Sequence, residues 1–293
     1  KQGVDPIILD TREEHSSELI ETAKSQNIQI KFSYAVIAAN GYKKVKSALI
    51  GKLNRDKTDF ENSETIECDC ICVSGFWTPT VHLASQSGNK LKFNDQIDAF
   101  VPDKSKQNET SVGASKGTFT LKETLNDGFK TGFDLSKKIT KNNNSTSTPN
   151  SNETKKNPHD KFWCSPLPKD KNYKRFVDFQ NDVAVSDIEV ALREGYRSIE
   201  HVKRYTTLGM ATDQGRTSNL NGLQLVANVE KKIVPQVGHT TFRPPFTPIT
   251  IGTIVGREVD MEYMPTRKTP MHTWHEKNNA VFVDAGAWKR PRY

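Results

Sequence analysis

Cysteine is scarce in this chain: four in 293 residues. That number cannot build a disulfide framework, so the fold must rest on apolar cores. Cys68, Cys70 and Cys72 alternate along one apolar run, which as a strand puts the three side chains on one face. A strand splays such ligands in a row instead of closing a tetrahedron, so the reading is buried, reduced thiols and no metal. Long hydrophobic runs are also missing. Nothing approaches the ~20 apolar residues that span a bilayer, and no leader pattern is visible; no membrane contact and a cytoplasmic setting are expected. Charge is not one-sided: 42 Lys and Arg face 35 Asp and Glu, a formal net of +7. The basic residues are scattered, and no helix concentrates them among aromatics, so no nucleic-acid partner is expected. The sequons at Asn108, Asn143, Asn144 and Asn152 follow from an Asn-, Lys- and Ser-rich composition.

What is present begins with a strand, Val4–Asp10, then a helix over Glu13–Ser25 and a strand over Ile28–Tyr34. Strand, acid, helix, strand is the second half of a nucleotide-binding βαβ unit, in which Asp10 stands where a carboxylate takes ribose hydroxyls. The plainer alternative is that Asp10 caps the turn into the helix. Ala35–Leu53 alternates as a hairpin. Glu67–Trp77 (ECDCICVSGFW) reads as a buried strand emptying into Gly75, followed by Thr78 and Pro79. It resembles the D-x-hydrophobic-x-hydrophobic-x-x-G-x-x-P segment of two-dinucleotide flavoprotein oxidoreductases, where glycine lets the backbone approach the cofactor. An ordinary strand-to-loop turn is the alternative. Phe100–Phe133 reads as the closing segment of the same fold: a strand, a tight turn at Gly113, and a helix carrying Gly128 and Gly132. Those small residues equally suit close helix–sheet packing. Lys137–Lys156 is low-complexity and polar, a linker or disordered insert.

The organising stretch runs from Asp178 to Ser218. Ser186 is placed as an N-cap, with Asp187 and Glu189 near the positive end of the helix dipole. Ile188, Ala191 and Leu192 face inward, and Gly195 stops the helix. Ser198 caps a second helix with Ile199, Val202 and Tyr205 inward, ended by Gly209. A third helix spans Asn221–Glu230, with Leu223, Leu225 and Val226. This layout resembles the bacterioferritin-associated ferredoxin-like module, whose cluster ligands fall here on Asp178, Gln180, Asp213 and Ser218. None is cysteine, so no iron–sulfur cluster is expected. FVDFQNDV, EHVKRYTTLGMATDQGRTSN and TTFRPPFTP are more specific: together they are similar to the alpha chain of bacterial heterotetrameric sarcosine oxidase. Further on, Thr-Pro-Met-His-x-Trp-His and Trp-Lys-Arg-Pro resemble the opening of an aminomethyltransferase domain. His272 and His275 there are spaced as a metal pair would be, but they lack a third ligand, and Trp274 argues for packing.

The resemblance implies an α/β portion of a two-dinucleotide-binding oxidoreductase, a small all-α module and the start of an α+β domain. The boundaries expected are 1–136 for the C-terminal part of the FAD/NAD(P)-binding domain and 137–157 for the polar linker. The cluster-free module takes 158–262, and the folate domain starts at 263–293. The chain is then expected to be the middle of a longer protein. The family implies NAD, FMN at a subunit interface and tetrahydrofolate as cofactors, with beta, gamma and delta subunits as partners. The amine-oxidising site is expected on a partner subunit, so no residue here is assigned a catalytic role. Cofactor-binding candidates are Asp10, Gly75, Thr78, Gly113, Arg204, Asp213, Gln214, Arg216, Thr217, Asn219 and Arg243. The turn from Asp213 to Asn219 is expected to hold a flavin phosphate through backbone N–H groups and an arginine, or else only to fix the helices. Arg243, held between an aromatic and two prolines, suits a phosphate or an interdomain ion pair. A proline or opine dehydrogenase alpha chain and a non-catalytic scaffold remain as alternatives.

Overall fold

The computed structural model describes residues 3–75, 77–140, 149, 151, 160–168, 173–257 and 265–293. Most of the polar stretch expected as a linker lies outside the described residues, as does Phe76. Spatial clustering of the backbone divides the chain into two compact units, 1–246 and 247–293.

The first unit opens as expected. β1 (Ile7–Asp10) pairs in parallel with β2 (Gln29–Phe32). The crossover is α1 (Glu18–Ser25), shorter than the helix expected from Glu13, because Ser17 is its N-cap: the hydroxyl accepts from Ile20 N at 3.3 Å. β3 (Tyr34–Gly41), β4 (Val45–Leu53) and β5 (Phe60–Glu67) form an antiparallel meander with β4 central. Ala35, Ile37 and Leu53 make a small core under it. Phe162 packs against this core, and Ser165 Oγ donates to Val36 O at 3.0 Å.

The expected buried cysteine strand does not form. β5 ends at Glu67, and one more bond, Cys68 N to Lys46 O at 3.1 Å, closes the ladder. β4 begins only at Val45, so beyond it the chain runs on outside the ladder, with a bend at Asp69. Cys68 is half-buried, while Cys70 and Cys72 are exposed.

α2 (His82–Gln86) precedes a hairpin of β6 (Leu91–Asn94) and β7 (Ala99–Pro102). A 3-10 turn over Gly113–Lys116 then leads to α3 (Leu121–Thr140). Gly128 and Gly132 on α3 have no atom within 4 Å of a notional Cβ, so among the described residues they serve no close packing.

The helical module follows. β8 (Phe176–Asp178) and β9 (Val183–Ala184) make a short antiparallel ribbon feeding α4 (Val185–Arg193). Ser186 is not its cap. The N-cap is Ala184, two residues earlier, and the Asp187 carboxylate takes the Ala184 N–H at 2.8 Å. α5 (Ile199–Thr206), α6 (Asn219–Glu230) and α7 (Val234–Val237) complete the module. Its core joins Val183, Ile188, Leu192, Val202, Leu208, Leu223 and Val226, with Phe93 and Phe100 of the β6–β7 hairpin packed against it. Tyr205, expected inward, is 47% exposed and stacks on Tyr196 at 4.6 Å. Gly195 takes φ +96°, the left-handed stop expected of it.

The second unit holds α8 (Ile251–Val255), then β10 (Arg267–Lys268), α9 (His272–Lys277), β11 (Phe282–Ala285) and β12 (Trp288–Pro291). β12 is the central strand of a three-stranded sheet. His272 is buried against Phe282, with ring centroids 4.6 Å apart. Among the described residues no helix is long and apolar enough to cross a membrane. Nor does any group of three or more His, Cys, Asp or Glu among them stand ready to hold a metal ion.

Candidate cofactor-binding site

The connection from α5 to α6 is built on left-handed residues: Thr207 (φ 65°), Gly209 (68°), Gln214 (50°) and Gly215 (70°). Two of these must be glycine. A Cβ at Gly209 would sit 2.2 Å from Asn219 Oδ1, and one at Gly215 2.0 Å from it. The first side chain of α6 therefore lies directly on the glycine backbone, which is possible only without a Cβ.

The positions that resemble cluster ligands carry a polar plug. Asp178 is 2% exposed, and its Oδ2 accepts from Gly209 N at 2.8 Å and from Ser218 Oγ at 3.4 Å. Its Oδ1 accepts from Gln180 N at 3.0 Å. Gln180 Oε1 accepts from Thr212 Oγ1 at 3.2 Å. One carboxylate thus ties the β8 ribbon to the end of α5 and the start of α6, with hydrogen bonds where the resembled module would have thiolates.

Gln214 is the hub of the turn. Its carbonyl accepts from Asn219 Nδ2 at 3.1 Å and from His82 Nε2 at 3.1 Å, a residue 132 positions away. Its side chain accepts from Arg243 N at 2.9 Å and donates to Ala211 O at 3.0 Å. A carbonyl only accepts, so His82 carries its proton on Nε2 and leaves Nδ1 as a bare acceptor. Burial pushes the His82 pKa down, which outweighs the hydrogen bond to Gln214 and keeps the ring neutral. The ring lies between Phe242 and Phe246, at centroid distances of 4.2 and 5.1 Å.

Beside this stack is a narrow cavity of about 50 Å³, walled by Thr78, Pro79 and Val81, the β6–β7 hairpin, the 215–223 segment and residues 239–242. Three buried polar atoms on residues lining it, His82 Nδ1, Asn219 Oδ1 and Thr240 Oγ1, have no hydrogen-bond partner among the described residues. Arg216 also lines it, with its guanidinium 5.0 Å from the centre of the Phe246 ring. Close by, the buried Lys203 donates to Thr241 O at 2.7 Å. Burial lowers its pKa despite Glu200, and the cations Arg243 and Arg204 lower it further.

The structure thus gathers Thr78, Gln214, Arg216, Asn219 and Arg243 around one place. Asp213 and Thr217 lie on the same turn and bond each other, Thr217 Oγ1 to Asp213 Oδ2 at 3.3 Å. Arg204 is exposed on α5. The other three candidates do not line this cavity. Asp10 accepts three bonds from Arg12, from N at 3.0 Å, Nε at 2.9 Å and Nη2 at 2.7 Å. Burial raises the Asp10 pKa, but these bonds and the guanidinium charge prevail and hold it low. Gly113 N donates to Asp127 Oδ2 at 2.9 Å, so a carboxylate of this chain already sits on that turn. The Gly113 amide lowers the Asp127 pKa, against partial burial, with Lys116 helping. Gly75 is exposed, with nothing within 4 Å of a notional Cβ.

One expected mode of holding a phosphate does not fit. Gly215 N donates to Asp213 Oδ1 at 3.1 Å and Arg216 N to Asp213 O at 3.2 Å. Ser218 N and Asn219 N both donate to Gly215 O, at 3.2 and 2.9 Å. These amides are used in fixing the turn, so an anion here would be met by guanidinium groups instead. His82 and Thr240 escaped the sequence reading. His82 reaches Gln214 across 132 positions and Thr240 lines the same cavity, and neither carries a local motif.

Residues 172–257 match the family model described as the sarcosine oxidase A3 domain. Over 235 residues the chain is 37% identical to the sarcosine oxidase subunit alpha of Rhizobium meliloti (strain 1021), covering 78% of this chain and 23% of that protein. Over 265 residues it is 35% identical to the subunit alpha of Corynebacterium sp. (strain P-1), covering 87% and 27%. Among solved structures, L-proline dehydrogenase from P. horikoshii superposes with a TM-score of 0.56 at 17% identity, over 86% of this chain and 50% of that one. At that identity the likeness is one of fold: a mixed α/β chain with small sheets. The chain spans about a quarter of the length of the curated relatives it matches. Over the stretch it spans, the chain is similar to part of the sarcosine oxidase alpha subunits, and residues 172–257 match their A3 domain.

Proposed function

We propose that this chain is the cofactor-binding and subunit-interface part of a sarcosine oxidase alpha subunit, and that the amine is oxidised on a partner subunit. The overall reaction is the oxidative demethylation of sarcosine to glycine with oxygen and tetrahydrofolate. The observation that carries the reading is the 35–37% identity to three alpha subunits over most of this chain. The geometry supports a binding role. Arg216 is exposed on the turn and Arg243, also exposed, is tied to it by its N–H to Gln214 Oε1, beside a cavity with orphaned acceptors and aromatic contacts.

Arg216, Arg243 and Arg204 are the residues that would meet the phosphate of FMN, with His82 and Thr240 offering buried hydrogen-bonding atoms nearby. A flavin held there supplies electron transfer between the partner's site and oxygen. The chain's own part is to fix the guanidinium groups, through Gln214, and to exclude water with Phe242 and Phe246. Asp10, Gly75 and Gly113 belong to the dinucleotide, NAD, in this reading; Asp10 would share its carboxylate between Arg12 and ribose. The folate domain begins at residue 263, and the partners are the beta, gamma and delta subunits.

The test is oxygen uptake by the full-length chain co-purified with its neighbouring flavoprotein subunits, with sarcosine or proline, with and without tetrahydrofolate. Sarcosine-dependent uptake, with methylene-tetrahydrofolate formed when folate is present, is the expected result. Turnover of proline alone would move the chain to the proline dehydrogenases, and absence of bound flavin would leave a scaffold.

A further inference from the structure

Cys70 and Cys72, on the segment after β5, line no part of the cavity above, yet their thiols come together. Cys70 Sγ lies 3.7 Å from Cys72 Sγ, and both residues are exposed. Val73, next along, is 86% exposed. We propose that Cys70 and Cys72 are an oxidisable dithiol, which peroxides convert reversibly to a disulfide within the chain.

The geometry suits closure and reopening. Cys68 is anchored by its amide to Lys46 O, while the two residues beyond leave the ladder. The two sulfurs already lie on one side of the chain. Even a fully extended backbone would hold their Cα atoms ~6.6–6.8 Å apart, at the upper edge of the ~4.4–6.8 Å that disulfides span. The sulfurs must close from 3.7 Å to the ~2.0 Å of a bond. A ring spanning one residue near its geometric limit is strained, and strained, exposed disulfides are the readily reduced ones.

The chemistry balances with peroxide as the named oxidant. The Cys72 thiolate attacks one peroxide oxygen, the O–O bond breaks, and Cys72 becomes a sulfenic acid while the leaving oxygen departs as water or alcohol. Cys70 sulfur then attacks Cys72 sulfur, the S–OH bond breaks, and water leaves with the Cys70 proton. Two electrons pass from sulfur to peroxide. The hydrogen bond to Cys72, then the charge of Cys72, pushes up the Cys70 pKa, so the two thiols feel each other. Cys164 differs: it is half-buried and receives the Arg175 guanidinium at 3.2 Å. Burial outweighs that cation and raises its pKa.

The test treats the reduced chain with hydrogen peroxide, counts free thiols and maps peptides by mass spectrometry. Expected are loss of two of the four thiols and a loss of two hydrogens in the peptide holding residues 68–72. Fragmentation should be silent between 70 and 72, and dithiothreitol should restore both thiols. Cys70→Ser should halt at a sulfenic acid on Cys72, trapped by dimedone, while Cys68→Ser and Cys164→Ser should keep the two-thiol loss. A link through Cys68 or Cys164, an interchain dimer, four persisting thiols or irreversible over-oxidation would each overturn the proposal. Should a variant not fold, the wild-type peptide map decides.

Discussion

Replacing Asp178 by alanine tests whether the polar plug holds the helical module together. The carboxylate is 2% exposed and takes two backbone N–H groups, Gly209 at 2.8 Å and Gln180 at 3.0 Å, with the Ser218 hydroxyl at 3.4 Å. Gly209 is buried, so its N–H finds no water when the acceptor goes; a bond to a charged group is worth ~1.5–3 kcal/mol. Gln180 is exposed and regains water, so its loss is about 0.5–1 kcal/mol. The Ser218 bond is long and its hydroxyl can reorient, which adds little. The expected cost is about 2–4 kcal/mol, with Asp178→Asn close behind because its amide nitrogen opposes an N–H donor. With two compact units in the chain, a whole-molecule melting curve would blur the effect. Hydrogen exchange of the Val202 and Val226 amides in the buried core reads the module directly. Protection lost by a factor of ~30 or more corresponds to 2 kcal/mol. A change below about 1 kcal/mol would mean that water or a side chain replaces the carboxylate, and the plug would then not hold the module.

Gly215→Ala should cost about 2–4 kcal/mol, from the left-handed backbone and from the 2.0 Å approach to Asn219 Oδ1. Gly195→Ala, with open space around it, should cost only ~1–2 kcal/mol; equal losses in urea titrations would remove the contact with Asn219 from the argument. Because burial depresses the His82 pKa below 6.5, the unfolded chain takes up the proton first on acidification. His82 therefore contributes stability that is full above pH 6.5 and falls away below it, with a slope of at most ~1.4 kcal/mol per pH unit. His82→Phe should flatten that part of the profile, and an unchanged slope would assign it to other groups. Arg216→Ala and Arg243→Ala should each lower the flavin affinity of the assembled enzyme about tenfold or more, read from bound flavin against protein; unchanged affinity would move the phosphate elsewhere.

The parallel β1–β2 pair, the β3–β4 hairpin and α6 were legible in sequence because local patterning matches packing there: Leu223, Leu225 and Val226 are buried as their spacing suggests. The cysteine strand was misread for a reason periodicity cannot carry. Alternation says which residues share a face, but burial depends on a neighbouring strand, and β4 turns back before it can supply one. The same limit governs the candidate site. The 213–219 turn announced itself through glycines and charges, whereas the acceptor of His82 is the carbonyl of Gln214, which any residue at that position would present. The resembled cluster positions show what sequence can supply once a layout is recognised. Reading them as erased ligands predicts only an absence. Asp178 and Ser218 stand within hydrogen-bonding distance, and Gly209 joins them, so a carboxylate occupies the place. Such a carboxylate holds the ribbon and two helix ends with directional bonds and needs no metal. The turn beside it can therefore stay rigid enough to aim Arg216 and Arg243, the property a binding site on this module requires.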